Sequence, residues 1–123
     1  KNADGTWTST LYAGNNGKGI ATGDRLADAK FTNPHGMVVN EDGLLFVCNK
    51  NGEYWSSNGH VIMTVGGSVA EIVAGKPSQR DPYVNGDPLE ATFHCPRNIV
   101  LDSDGNFIIA GGDDKTVRKL SIE

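Results

Sequence analysis

The sequence predicts an all-β protein built from two copies of a four-stranded antiparallel unit. Three observations carry that expectation. No window of the 123 residues sustains a helical apolar period. Sixteen glycines, many beside Asp or Asn, break short apolar runs with turns. One layout is also written twice: Ala29, Phe31, Pro34, Asp42-Gly43 and Phe46 return 62 residues later as Ala91, Phe93, Pro96, Asp104-Gly105 and Ile108. Ala13-Gly14 similarly returns as Ala74-Gly75, and GDRLADAKF (23–31) as GDPLEATF (86–93), with single-residue slips confined to loops.

The elements follow in chain order. WTSTLYAG (7–14) comes after Asp4-Gly5 and mixes polar with apolar residues, which suits an outer strand completing a preceding sheet. GMVVN (36–40), the turn EDG and LLFVCN (44–49) make a hairpin, because glycine takes positive φ in the turn without steric cost. Leu44 to Cys48 are continuously apolar, as in a strand covered on both faces. After the insertion NKNGEYWSSNGH come a third strand, HVIMTV (60–65), and a fourth, AEIVAG (70–75). The second copy reads NIVLD (98–102), SDG, NFIIAG (106–111) and TVRKLSI (116–122), with no fourth strand before Glu123. Residues 1–14 therefore belong to a preceding sheet, 15–75 form the first unit and 76–123 the second.

Composition bounds the function. The apolar fraction is 37% but comes in tight runs, enough for a core, and no apolar segment approaches the roughly 20 residues of a membrane span. A net charge of −4 with no basic stripe argues against nucleic acid as the main partner. Two cysteines make neither a disulfide framework nor a zinc cluster. Cys48, inside an apolar run, reads as a small buried hydrophobe, and Cys95 marks the junction with Pro96.

Four antiparallel strands per unit, polar outside and stacked face to face, describe a β-propeller blade. The order Ala-Gly, Asp/Glu-Ala-x-Phe-x-x-Pro, an Asp-Gly turn, an apolar strand and the ending TVRKLSI resembles NHL repeats over nearly the whole chain. The second copy matches through DSDGN and KTVRKL, whereas the first departs after Cys48. That resemblance implies an NHL-type propeller of which about two blades are present, an incomplete ring. The ring would close with further blades in cis, this chain being the C-terminal part, or with other copies. The polar loops NGKGIATGD and KPSQRDPYVNGD resemble arrays of secreted or lipid-anchored bacterial proteins, which implies a secreted, periplasmic or cell-surface location.

In such a ring the segments leading into the innermost strands converge at one mouth of the central channel. His35 and Arg97 occupy equivalent positions on those segments, with Asn98 beside the latter. Arg offers a planar fork suited to carboxylate or phosphate, and its structural alternative is an ion pair with Asp102 or Glu90. Tyr54 and Trp55, flanked by Gly52 and Gly59, form a ligand platform or cover their own blade edge. Within the wider NHL-like group, peptide-amidating lyases carry zinc-binding histidines in a Pro-His-Gly motif that Pro34-His35-Gly36 resembles. A metal site needs about three protein ligands, and the second copy supplies Arg97, while His60 and His94 fall elsewhere in the repeat. DSDGN (102–106) lacks EF-hand spacing and reads as a hairpin turn rather than a calcium loop, and Asp113-Asp114 have no obvious converging partners. No nucleophile–base pair, P-loop or dinucleotide fingerprint is present. The expectation is a non-enzymatic binding or scaffold module, without cofactor, that presents loops to a protein, peptide or glycan. The alternative is part of a metal-dependent lyase or hydrolase with His35 as one ligand to zinc, or to calcium.

Overall fold

The computed structural model describes residues 1–17, 19–50, 60–76, 84–111 and 115–121. These residues form eight strands and no helix: β1 (Gly23–Asp24), β2 (Asn33–Val39), β3 (Leu45–Lys50), β4 (Val61–Gly66), β5 (Val69–Ala74), β6 (Pro96–Leu101), β7 (Phe107–Gly111) and β8 (Val117–Leu120). Every pairing is antiparallel, in a five-stranded sheet ordered β1-β5-β4-β3-β2 and a three-stranded sheet ordered β6-β7-β8. Among the described residues no helix is long and apolar enough to cross a membrane.

The two hairpins form where the Asp-Gly pairs predict them, and the same local chemistry builds both. Asn40 Oδ1 accepts the N–H groups of Asp42 and Leu44, each at 3.0 Å. Asp102 Oδ1 accepts those of Asp104 and Asn106 at 2.9 and 3.0 Å. A short side-chain acceptor thus stands in for a backbone turn in each copy. Gly43 and Gly105 follow at φ 78° and 80°, which a Cβ would strain. The sequence DSDGN is accordingly a hairpin turn.

The repeat persists in the connecting loops. Gly14 donates to the Arg25 carbonyl at 2.6 Å, as Gly75 donates to that of Pro88 at 2.9 Å. Ala21 bridges Lys30 as Val84 bridges Thr92. Arg118 fixes the second loop against β8. Its guanidinium donates to the carbonyls of Thr92 and Val84 and to Asn85 Oδ1, and lies 4.4 Å from the centre of the Phe93 ring. Arg118 is therefore a clamp between that loop and β8.

The core lies mainly between the sheets. Phe46, Cys48 and Ile62 of the first sheet pack on Ile99, Phe107, Ile109 and Leu120 of the second, with Phe46 and Phe107 ring centres 4.3 Å apart. A smaller cluster on the far face of the first sheet joins Val61, Met63, Val65 and Ala70 to Ala29 and the partly buried Phe31. The central strand β3 is therefore apolar on both faces, as its unbroken run predicts, and β4, the third strand of its unit, is buried on both faces as well. Cys48 and Cys95 are both buried and are not joined in a disulfide.

Two further segments stand apart from the hairpins. Residues 7–14, read as an outer strand of a preceding sheet, pair with no strand among the described residues, and Trp7 is 79% exposed. A strand needs a neighbour to satisfy its backbone, and the described residues supply none to this segment. In addition, β1 arises within a loop, where Gly23 and Asp24 pair with Ala70 and Val69 along the outer edge of β5. Two residues cannot show an alternating pattern, so composition gave no sign of it.

Candidate functional site

The candidate site lies where β2 and β6 approach each other. Both β2 and β6 are edge strands, each with a proline at or next to its first residue, and both are bulged at equivalent places. Register shifts between Pro34 and Met37 on β2, and between Pro96 and Asn98 on β6. A bulge leaves a residue out of the ladder and re-aims its side chain, which is why bulges recur beside binding sites. His35 and Arg97 are the residues caught in these bulges.

The two bulges approach each other closely. A Cβ added at Gly36 would collide with the Arg97 carbonyl oxygen and lie 2.8 Å from the Asn98 Cα. Glycine is needed here for backbone-to-backbone contact rather than for an unusual φ. The structure thus sets Gly36 against Arg97 and Asn98, and His35 one residue away on the adjoining strand. His35 and Asn98 are exposed, and Arg97 is partly buried. Asp102 and Glu90, the acids offered to Arg97 by the sequence, are held by lysines: Lys119 to Asp102 at 3.1 Å, and Lys76 to Glu90 at 2.5 Å.

Just before Arg97, Cys95 adopts φ 58°, a left-handed conformation uncommon for a side chain of this type. Backbone held in such a region often accompanies functional segments. One cation near this edge was not singled out by sequence. Lys50 ends β3 opposite Asn33 and is only 5% exposed. It follows an apolar run into a turn-rich insertion, and there a lysine reads as solvated.

Tyr54, Trp55 and Asp113-Asp114 lie outside the described residues. His60 and His94, separated by the repeat register, meet in space with ring centres 5.8 Å apart and planes at 25°. The meeting follows from the segment leading into β6, which crosses β4 where His60 bridges Phe93. Among the described residues no three His, Cys, Asp or Glu side chains form a group able to hold a metal ion.

A concave feature lies on the far face of the first sheet. It is an apolar groove of about 770 Å³, lined among others by Tyr12, Phe31, Met37, Leu45, Val47 and Val65. That volume is within the usual range for small-molecule pockets, but the described lining holds no titratable group able to orient a polar ligand apart from the Tyr12 phenol.

No protein-family model and no curated protein matches the chain. Among solved structures it is similar to a structural genomics protein of unknown function from Bacteroides thetaiotaomicron VPI-5482. The two are 29% identical with a TM-score of 0.79 over 93% of this chain, and the chain spans 27% of that protein's length. The likeness supports the arrangement of the antiparallel sheets.

Proposed function

We propose that the chain forms two adjacent blades of an NHL-type β-propeller and serves as a non-enzymatic binding module. Its ligand is an acidic peptide, protein segment or glycan, engaged at the inner edge by Arg97, Asn98 and His35. The observation that carries this reading is the pair of bulges at equivalent repeat positions, which sets His35 and Arg97 on adjoining inner strands. Further support comes from the close approach of Gly36 to Arg97, which brings the starts of β2 and β6 to one rim. The guanidinium is a planar fork matched to a carboxylate, and a charge-assisted bond of this kind contributes about 1.5–3 kcal/mol.

The test is a screen of acidic peptides and carboxylated glycans against the chain, followed by titration of the hits. Arg97→Ala should weaken binding roughly 10- to 100-fold, and added salt should weaken the unaltered chain in the same direction. Binding indifferent to Arg97→Ala and Asn98→Ala would move the ligand elsewhere, and a chain that captures none of these acids would reject the ligand class.

A further inference from the structure

Four asparagines are followed directly by glycine: Asn16, Asn51, Asn58 and Asn85. In such a pair the glycine backbone nitrogen can attack the asparagine side-chain carbon Cγ and close a five-membered imide. Glycine permits the closure because it has no Cβ to obstruct the approach and its backbone turns freely. Asn51 and Asn58 lie outside the described residues. Asn16 and Asn85 sit in the corresponding loops of the two units, each after an Ala-Gly pair.

The two loops treat their pairs oppositely. The Gly17 N–H donates to Asn15 Oδ1 at 2.8 Å, and a Cβ added at Gly17 would meet that oxygen at 2.8 Å and Lys30 Cε at 3.2 Å. The nucleophile beside Asn16 is thus occupied and crowded. Around Gly86 no atom lies within 4 Å of an added Cβ. Among the described residues the Gly86 N–H meets no acceptor. Asn85 and Gly86 are both exposed, so water reaches them. Asn85 Oδ1 accepts the Arg118 Nε–H at 3.1 Å. That donor points at the oxygen that gains negative charge as the nitrogen attacks, and it stabilises the developing oxyanion.

We infer that Asn85 is a site of spontaneous deamidation, which places a carboxylate beside the Arg118 clamp. The inference needs neither the ligand nor the blade assignment above. The Gly86 nitrogen loses its proton and bonds to Asn85 Cγ; the Cγ–Nδ2 bond breaks, and the side-chain nitrogen leaves as ammonia. Water then opens the imide at either carbonyl, so that one amide and one water become one carboxylate and one ammonium ion. Opening at Cγ restores the main chain with an aspartate side chain, whose oxygen replaces Oδ1 in a charge-assisted bond to Arg118. Opening at the main-chain carbon reroutes the chain through Cβ and Cγ, adding a methylene and displacing the carboxylate. Arg118 also holds the carbonyls of Val84 and Thr92, which bridge each other across the same loop. The first product keeps that clamp, and the second loosens it.

Peptide mass spectrometry of the 123-residue chain, incubated at neutral pH both folded and in urea, follows each position. Folded, Asn85 should convert within about threefold of its rate in urea, whereas Asn16 should slow at least about tenfold, since a hydrogen bond must break first. Asn85→Gln, whose longer side chain would have to close a larger ring, should keep the fold and lose the mass gain at this position. In the separated products, hydrogen exchange should find the Thr92 N–H, which donates to the Val84 carbonyl at 3.0 Å, still protected in the aspartate form. The same protection is expected of Asn85→Asp, and exchange about tenfold faster of the rerouted form. An Asn85 that converts as slowly as Asn16 in the folded chain, or only in urea, would overturn the site. Equal Thr92 exchange in the two products would overturn its coupling to the clamp.

Discussion

Replacing Phe46 by alanine removes one of the aromatic rings that join the two sheets. Phe46 is 4% exposed and its ring lies 4.3 Å from that of Phe107, tilted by 41°. Phe-to-Ala changes in a core cost about 3–5 kcal/mol, from lost transfer energy and the cavity left behind. The neighbours here are strands held in ladders on both sides, which cannot collapse into the gap, so the upper half of that range is expected. With a urea slope of about 1.5 kcal/mol per molar, the midpoint should fall by about 3 M. Phe107→Ala should cost a similar amount, and the double variant less than the sum, with a coupling of about 0.5–1.5 kcal/mol from the ring pair. Unfolding is followed by circular dichroism at low protein concentration, with hydrogen exchange on β4 and β7 as independent probes of the two sheets. A midpoint shift below about 0.5 M, or exchange in β7 that collapses while β4 is untouched, would refute the claim that one shared core holds both sheets.

Three further outcomes follow from single residues. Gly36→Ala should destabilise the chain by about 1–3 kcal/mol and weaken Arg97-dependent binding, because the added methyl meets backbone that cannot swing aside; a neutral urea midpoint would contradict the close approach. Burial pushes the Cys48 thiol up to about 12, so the folded state holds its proton more tightly than the unfolded chain. Its contribution is fully present below the ordinary thiol value of 9.0 and is lost as pH rises from there toward about 12; the difference in urea midpoint between wild type and Cys48→Ala should show that slope. The Asp102 carboxyl is held below its ordinary value, first by the Asn106 N–H and also by Lys119. Its stabilisation is present above the normal carboxylate range and is lost as pH falls through the depressed value; Asp102→Asn should keep the turn, as Asn40 does, and remove that acid-side slope.

The sequence made the repeat visible because turn chemistry is local. Asp42-Gly43 and Asp104-Gly105 announce positive φ, and the unbroken run around Val47 announces a strand covered on both sides. The β1 pairing and the Arg118 clamp were not legible, since each depends on a loop folding back over a distant strand. The stacked pair of His60 and His94 was hidden for a related reason: the repeat register separates them, and only the crossing of one unit over the other brings them together. Of the candidate site, the equivalence of His35 and Arg97 could be read from the repeat. The bulges could not, because a bulge is a mismatch of two strands and leaves no composition of its own. Lys50 was missed because a lysine is expected in water unless the fold shows otherwise.

The repeat also explains why its two copies diverge where they do. A residue in the first unit that faces the second must fit a surface inside the chain, so Gly36 is constrained by the Arg97 carbonyl and Phe46 by Phe107. Their counterparts Asn98 and Ile108 face outward and escape those constraints. The apolar character of Ile108, Ala110, Val100 and Val117 nevertheless persists on a face that no described residue covers. Solvent alone would favour polar residues at these positions, as it does at Lys119 on the same face. A row of four aliphatic side chains across three strands is the pattern of a surface that another sheet removes from water.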